Sequence, residues 1–336
     1  MERKHHLRII AVCLCILVIG SIIINIFFPY SSLNTQKLSQ VYTGGGASDV
    51  EIHGNIVYVV DTADNNPGGL LIINVSDPAH PEKIGSYYQN GVPFKVDVVG
   101  EIAYVANRMV GLEILNISDP SNPIKIDEYV GSAAAYDVQV IGDIAYLADW
   151  SMGLVILNVS DPSNVKLITH FDITGGCIHV SVFNDLAYIS DHHSEFTSLR
   201  VIDVSDPTHP VQIGSHTPSG VDYWNPYYYG NYVYVGNHGM GGGELRILDV
   251  SNPSQIVQIG VYDEQSNIHG VFVNGTRAFL ADYEKGLIVV DVSNPSNPRR
   301  VARFMDGGHA IDVYVINDIA YVADKEHGLE IIRILT

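Results

Sequence analysis

The chain has 336 residues, 46% of them apolar, and a formal net charge of −19 at pH 7. This length and composition are sufficient for one large hydrophobic core and exclude a disordered protein. The negative charge repels phosphate backbones, and no basic patch follows Lys37. We therefore exclude nucleic acid as a partner.

The N-terminal 28 residues predict a membrane anchor. Residues 1–8 carry three basic side chains and one acidic side chain, and residues 9–28 follow without a charge. An apolar helix of this length spans a hydrocarbon core of about 30 Å, and the basic flank favours the cytoplasm. We expect a cytoplasmic flank (1–8), a transmembrane signal anchor (9–28) and a linker (29–37). A cleaved signal peptide is the alternative, although its apolar segment is usually shorter and ends in a cleavage site with small residues.

The rest of the chain repeats one pattern seven times. Aromatic-centred segments such as Ala145-Tyr-Leu-Ala-Asp149 precede apolar segments such as Leu154-Val-Ile-Leu-Asn158. The intervals between Asn74 and its counterparts in the next five copies are 42, 42, 45, 46 and 42 residues. This spacing is typical of one four-stranded propeller blade. The apolar segments begin at Leu70, Leu112, Leu154, Leu199, Leu245, Leu287 and Leu329.

The apolar segments resemble the LVIVD repeat family, whose name is the pattern Leu287-Ile-Val-Val-Asp291 with one conservative change. The resemblance covers about residues 39 to 336 and is specific because the seven copies agree in register. Arg333 departs from it, since the other copies have Asn or Asp at that position. The resemblance implies an all-β fold, a seven-bladed β-propeller, and leaves the activity open.

The two ends of the repeat region predict how the ring closes. The chain ends on the third strand of the last blade, while residues 38–43 precede the first blade and resemble the other fourth strands. We therefore predict that residues 38–43 pair with the segment 329–334, which leaves no open sheet edge at the seam. The propeller domain is accordingly expected to span residues 38–336. Six blades plus a remnant is the alternative, and it leaves three β-segments without a sheet.

Comparing the seven copies separates two sides of the propeller. The hairpins between first and second strands and the Ser-Asp-Pro or Ser-Asn-Pro turns between third and fourth strands are alike, and we call this side the repeated rim. The loops that enter first strands and those that join second to third strands differ, and we call this side the variable rim. Function in repeat folds commonly lies in such variable loops. We therefore look for a site on the variable rim.

Aromatic and histidine side chains concentrate on the variable rim. The predicted ligand-binding residues are Tyr136, Trp150, His179, His192, His193, Tyr223, Trp224, His238, His269 and His309. Because imidazole is a favoured metal ligand, His179, His192, His193 and His238 are also candidate ligands for a divalent metal. The structural alternatives are solvent-exposed loop histidines and aromatic residues that pack between blades.

The sequence contains no nucleophile elbow, phosphate loop or Rossmann fingerprint. We therefore expect a single-pass protein of the cell membrane whose extracytoplasmic propeller binds a protein or glycan through the variable rim, without catalysis or a cofactor. The alternative hypothesis is a metal-dependent lyase or hydrolase that uses the four histidines near the central channel.

Overall fold

The computed structural model describes residues 33–62, 68–88, 91–131, 134–173, 175–192, 197–237, 243–263, 265 and 267–335. These residues form seven antiparallel sheets of four strands each, and they contain no helix. The all-β seven-bladed propeller is therefore confirmed. The predicted anchor at 9–28 lies outside the described residues, and within them no helix is long and apolar enough to cross a membrane.

Each blade is one sheet, and in blades 1 to 6 the four strands follow one another in chain order from the axis outward. Blades 1 and 2 consist of β2 (Ala47–His53), β3 (Ile56–Asp61), β4 (Gly69–Asn74) and β5 (Glu82–Tyr88), then β6 (Pro93–Val99), β7 (Ile102–Asn107), β8 (Gly111–Asn116) and β9 (Ile124–Tyr129). Blades 3 and 4 consist of β10 (Ala135–Ile141), β11 (Ile144–Asp149), β12 (Gly153–Asn158) and β13 (Lys166–Phe171), then β14 (Cys177–Phe183), β15 (Leu186–His192), β16 (Thr197–Asp203) and β17 (Val211–His216). Blades 5 and 6 consist of β18 (Tyr223–Tyr229), β19 (Tyr232–Asn237), β20 (Glu244–Asp249) and β21 (Val257–Asp263), then β22 (Ile268–Asn274), β23 (Arg277–Asp282), β24 (Gly286–Asp291) and β25 (Arg299–Phe304). Blade 7 consists of β26 (Ala310–Ile316), β27 (Ile319–Asp324), β28 (Gly328–Leu335) and β1 (Asn34–Val41).

The second and third strands are apolar on both faces because neighbouring blades cover both. In blade 3, Leu147 and Leu157 are fully buried and pack with Tyr104 and Leu112 of blade 2. Removing one such side chain from water contributes about 1.5–3 kcal/mol. The core is thus a series of layers between blades, and every layer needs both neighbours.

The closing strand confirms the predicted seam and corrects its position. In β1, Asn34 lies opposite Leu335 and Val41 lies opposite Leu329 of β28. The strand therefore begins four residues earlier than predicted, and residues 34–37 do not belong to a linker. Their polar character fits an outer strand because such a strand is only partly buried. Lys37 is held there by ion pairs from its Nζ to Asp306 (2.8 Å) and Glu330 (2.5 Å).

Candidate ligand-binding site

In most blades the first strand contains a β-bulge close to the variable rim. In β10 the pairing register with β11 shifts between Ala135 and Asp137, and corresponding shifts occur in β2, β6, β14, β22 and β26. A bulge re-aims the local side chains. Tyr136, the bulged residue of blade 3, faces a cavity on the axis. Its counterparts in the lining of that cavity are Ser48, Phe94, His269 and Ile311.

The axial cavity has a volume of about 590 Å³ and lies where the variable-rim ends of the first strands meet. Among the described residues, six ring-bearing side chains line it: Phe94, Tyr136, His179, Trp224, His269 and Tyr283. Its polar lining includes Lys95, Asn225, Asn267 and Asp312. Ring walls with a few polar groups are typical of a small-ligand site.

The rings form two arcs around the axis. In the first arc, Phe94 and Tyr136 have centroids 4.9 Å apart, Tyr136 and Trp150 6.0 Å apart, and Trp150 and His192 5.5 Å apart. Trp150 is 41% exposed, so this arc continues outward from the cavity to the surface of the variable rim. The Arg108 guanidinium lies 5.5 Å from the Tyr136 ring and adds a cation–π contact.

The second arc runs through blades 4 to 7. Its successive centroid distances are 5.0 Å for His179 and Trp224, 5.7 Å for Trp224 and His269, 5.1 Å for His269 and Tyr283, and 4.1 Å for Tyr283 and His309. The last two pairs are stacked, whereas Trp224 meets both histidines edge-on. Neighbouring rings therefore hold Trp224 in place on both sides.

A partly buried lysine lies among carboxylates at the axis. Lys95 Nζ is 2.8 Å from Asp49 Oδ1 and 2.9 Å from Asp312 Oδ2. Burial lowers the pKa of Lys95, but the charges of Asp312 and Asp49 outweigh this and hold it well above its ordinary value. Burial raises the pKa of Asp49 well above its ordinary value, against the opposing charge of Lys95.

Axial carboxylates also connect neighbouring blades. The first strand of a blade has one edge toward the axis, where no further strand accepts its N–H groups. Asp49 Oδ2 accepts a hydrogen bond from the Val96 amide (2.7 Å), and Glu51 Oε2 accepts one from the Val98 amide (3.1 Å). Asp97 and Asp137 accept the amides of Val140 and Val180 in the same way. Each of these side chains thus caps the first strand of the next blade.

A second, smaller cavity of about 230 Å³ continues along the axis. It shares Lys95, Asn225 and Asp312 with the aromatic cavity, and its lining adds Glu51 and Asp97. Burial, followed by the charge of Asp97, raises the pKa of Glu51 well above its ordinary value. Burial also raises the pKa of Asp97 to about 6.

His179 carries buried polar atoms that the described residues leave unsatisfied. The residue is 8% exposed, and neither ring nitrogen has a hydrogen-bond partner in the described part of the chain. Nδ1 lies 3.4 Å from Asp137 Oδ2, a close approach without hydrogen-bond geometry. An unsatisfied buried nitrogen in the wall of a cavity is a feature that a bound ligand explains.

The structure brings together most of the predicted residues and corrects one of them. Tyr136, His179, Trp224 and His269 line the cavity, and Trp150, His192 and His309 extend the two arcs. Tyr223 is not on the rim surface. It is fully buried, and its hydroxyl is hydrogen-bonded to His216 Nδ1 at 2.8 Å. Its register position opposite Asn237 points it between blades.

The four candidate metal ligands do not share one environment. His179 contacts Trp224, whereas His192 contacts Trp150 and has Nδ1 3.3 Å from Asp222 Oδ1. The other two candidates, His193 and His238, lie outside the described residues.

A different group of potential metal ligands lies beside the closing strand. In the described part of the chain, Asp306, Asp324, His327 and Glu330 place ligand atoms within 4.8 Å of one another. The Lys37 ammonium is already ion-paired with Asp306 and Glu330, so two of these carboxylates bind a cation supplied by β1.

Phe94, Lys95 and Asp312 are not predicted as site residues from the sequence, although they lie in first strands as Tyr136, His179, Trp224 and His269 do. A signal for Lys95 and Asp312 was present in one column of the repeats. The register equates Asp49, Lys95, Asp137, His179, Gly270 and Asp312. Such a column of unlike residues in an otherwise regular strand indicates a surface that is not built for blade packing alone.

Comparison with known proteins agrees with this architecture. The model of the LVIVD repeat matches residues 44–89, 91–130, 132–173, 175–217, 227–264, 267–306 and 307–334. The crystal structure of the computationally designed Ika8 protein is similar, with a TM-score of 0.62 and 9% identity, over 90% of this chain and 100% of that chain. At that identity the likeness shows the fold alone. No curated protein matches the chain. Because the repeat matches cover most of its length, the chain belongs to the LVIVD repeat family.

Proposed function

We propose that this protein is a membrane-anchored, extracytoplasmic propeller that binds a protein or glycan ligand through its variable rim. One observation carries the proposal. Aromatic and histidine side chains from several blades converge on one axial cavity of about 590 Å³ at that rim. A pocket with ring walls and a few polar groups is the usual form of a binding site on a rigid scaffold.

The repeated rim offers a contrast that supports this assignment. Asn158 Oδ1 accepts the Ser160 amide at 2.9 Å, and Asp161 Oδ1 accepts the Ser163 amide at 3.1 Å. Equivalent side-chain caps recur in other blades, as at Asn116 with Ser118. These contacts satisfy turn backbone, as expected of structural turns.

Capture of ligand from native envelope material tests the proposal. The propeller, residues 33–336, is immobilised as the natural sequence, as a cavity variant (Trp224→Leu) and as a repeated-rim variant (Ser163→Ala). We expect the natural sequence and the repeated-rim variant to retain the same molecule, and the cavity variant to lose it. Equal capture by all three would assign binding to another surface.

The alternative of a metal-dependent lyase or hydrolase stays a hypothesis with its own test. Elemental analysis of purified domain 33–336, without added metal and without a histidine tag, measures the bound metal. One metal ion per chain, lost together in His179→Ala and His192→Ala, would favour that function over binding without catalysis.

A further inference from the structure

The walls of the axial cavity present ring systems toward one shared volume that opens to solvent. Trp224, Tyr136, Phe94 and Tyr283 all line it. The face of an aromatic ring is the negative end of its quadrupole, so a cation enclosed by several rings is attracted to each, and Trp attracts most strongly. Aromatic walls also accept neutral apolar groups, so the charge around the cavity has to decide between the two classes of ligand.

Carboxylates outnumber cations around the axis when the linings of both cavities are taken together. Among the described residues, the aromatic cavity is lined by Asp312 with Lys95 and Lys325, and the smaller cavity adds Asp49, Glu51, Asp97 and Asp137. Lys95 is already paired with Asp49 and Asp312. Lys325 lies exposed in a loop of the variable rim, where water screens its charge.

The net charge of the whole chain also favours a cationic ligand. Its net charge of −19 attracts cations to the surface and repels anions. A cleft in which one sign of charge prevails raises the local concentration of the opposite ion. A neutral ligand gains nothing from this arrangement, and an anionic ligand is opposed by it.

His179 supplies an independent observation that points to a ligand. Its imidazole forms part of the cavity wall beside Trp224, and its ring nitrogens have no hydrogen-bond partner among the described residues. A neutral imidazole has one nitrogen that accepts a hydrogen bond, and an ammonium group offers only donors. A bound ammonium group therefore matches the unsatisfied acceptor as well as the rings and the carboxylates.

We propose that the axial cavity recognises the ammonium group of its ligand, as carried by a lysine side chain in a protein or by an amino sugar in a glycan. This inference rests on the proposed function and names the chemistry of the same site. The rings enclose the cation and its apolar neighbours, His179 accepts one of its hydrogens, and the axial carboxylates balance its charge.

The proposal predicts that ligand binding releases protons from the axial carboxyl groups. Burial raises the pKa values of Glu51 and Asp97, so the folded axis holds protons that these acids otherwise release. A cation bound nearby favours the ionised carboxylates and lowers those pKa values. Ammonium binding at pH 6 is therefore expected to release protons, which calorimetry in buffers of different ionisation enthalpy measures.

The experiment uses matched probes that differ in charge at one position. Glucosamine is compared with N-acetylglucosamine, and Nα-acetyl-lysine amide with Nα-acetyl-norleucine amide, by calorimetric titration of the domain 33–336 at low salt. We expect each ammonium compound to bind about tenfold or more tightly than its neutral partner. The stronger of the two ammonium probes distinguishes a glycan from a protein source.

Three variants locate the binding in the cavity. Trp224→Leu and Asp312→Asn change the cavity, and Asp172→Asn makes the same charge change outside its lining. We expect the two cavity variants to weaken ammonium binding about tenfold and Asp172→Asn to leave it unchanged. The chain has two tryptophans, so Trp150→Phe leaves Trp224 as the sole indole. A fluorescence change on adding glucosamine or Nα-acetyl-lysine amide then reports binding without altering the axis.

The possible results separate this inference from the proposed function. Tighter ammonium binding that depends on Trp224 and Asp312 supports both. Equal binding of charged and neutral probes overturns the ammonium inference and leaves cavity binding intact. Absence of probe binding, with envelope capture still dependent on Trp224, likewise overturns only the inference. If neither probe binding nor capture depends on Trp224, both proposals fail.

Discussion

Individual side chains on the axis serve both the fold and the candidate site. Asp97 and Asp137 accept backbone amides from the next blade, and the smaller axial cavity lies against the same carboxylates. Because its surroundings raise the pKa of Asp97, the proton affinity of that carboxyl is coupled to folding. The stability of the ring and the charge presented to a ligand therefore respond to the same pH range.

Replacing Asp97 with Asn tests that coupling. Burial raises the pKa of Asp97 from 3.8 to about 6, so its contribution is fully present below pH 3.8 and is lost as pH rises through about 6. The unfolding free energy of the natural protein is expected to fall between pH 4 and pH 8 by up to about 3 kcal/mol more than that of Asp97→Asn. Urea denaturation at both pH values measures this, since the amide oxygen still accepts the Val140 amide. Identical pH dependence in the two proteins would contradict the prediction.

Replacing Tyr223 with Phe tests the corrected position of that residue. The change removes a buried hydroxyl bonded to His216, so we expect a loss of about 1 kcal/mol in unfolding free energy. Ligand capture should be unchanged, because Tyr223 is fully buried and does not face the cavity. Weaker capture at unaltered stability would instead return Tyr223 to the binding surface.

Some of these features could be predicted from the sequence and others could not, for physical reasons. Periodic apolar segments reveal strands, so the seven blades follow from the repeats alone. The position of Tyr223 could have been read from its counterparts, because Ala47, Ala135 and Cys177 occupy the same register and are buried. Lys95 and Asp312 could not be paired in advance, since their contact joins side chains that are 217 residues apart.

Among the strands, β1 has a disproportionate effect on the stability of the ring. It pairs with the edge of β28, which would otherwise stay open. Its Leu38 and Val41 pack against the core between blades 7 and 1. Residues 34–37 of β1 are polar, so a pattern of alternating apolar residues does not predict them as part of a strand. The ion pairs of Lys37 replace apolar contact at that position.

Removing β1 is expected to destabilise the whole propeller. A domain that begins at residue 44 lacks the strand and exposes the edge of β28, whereas one that begins at residue 33 retains it. We expect the shorter domain to melt roughly 10 °C lower and to aggregate, because loosened terminal blades expose their faces. Differential scanning calorimetry and light scattering compare the two. Equal melting temperature and solubility would show that β1 is dispensable for closure.

For the whole molecule, the prediction that governs location is the anchor at 9–28. We expect the protein in its native host to fractionate with membranes, to require detergent for extraction, and to retain its N-terminal residues in mass spectra. A soluble mature protein that begins near Tyr30 would identify the segment as a cleaved signal peptide.

The direction of β1 has a mechanical consequence for the ring. Asn34 lies opposite Leu335, at the end of β28 that belongs to the repeated rim, so the chain enters the propeller on the side opposite the cavity. Tension between the N-terminal segment and a ligand held at the variable rim therefore runs along β1. Such tension slides β1 against β28 and loads all their hydrogen bonds together, whereas peeling would break them one at a time. The strand that closes the ring is thus placed to bear load in shear.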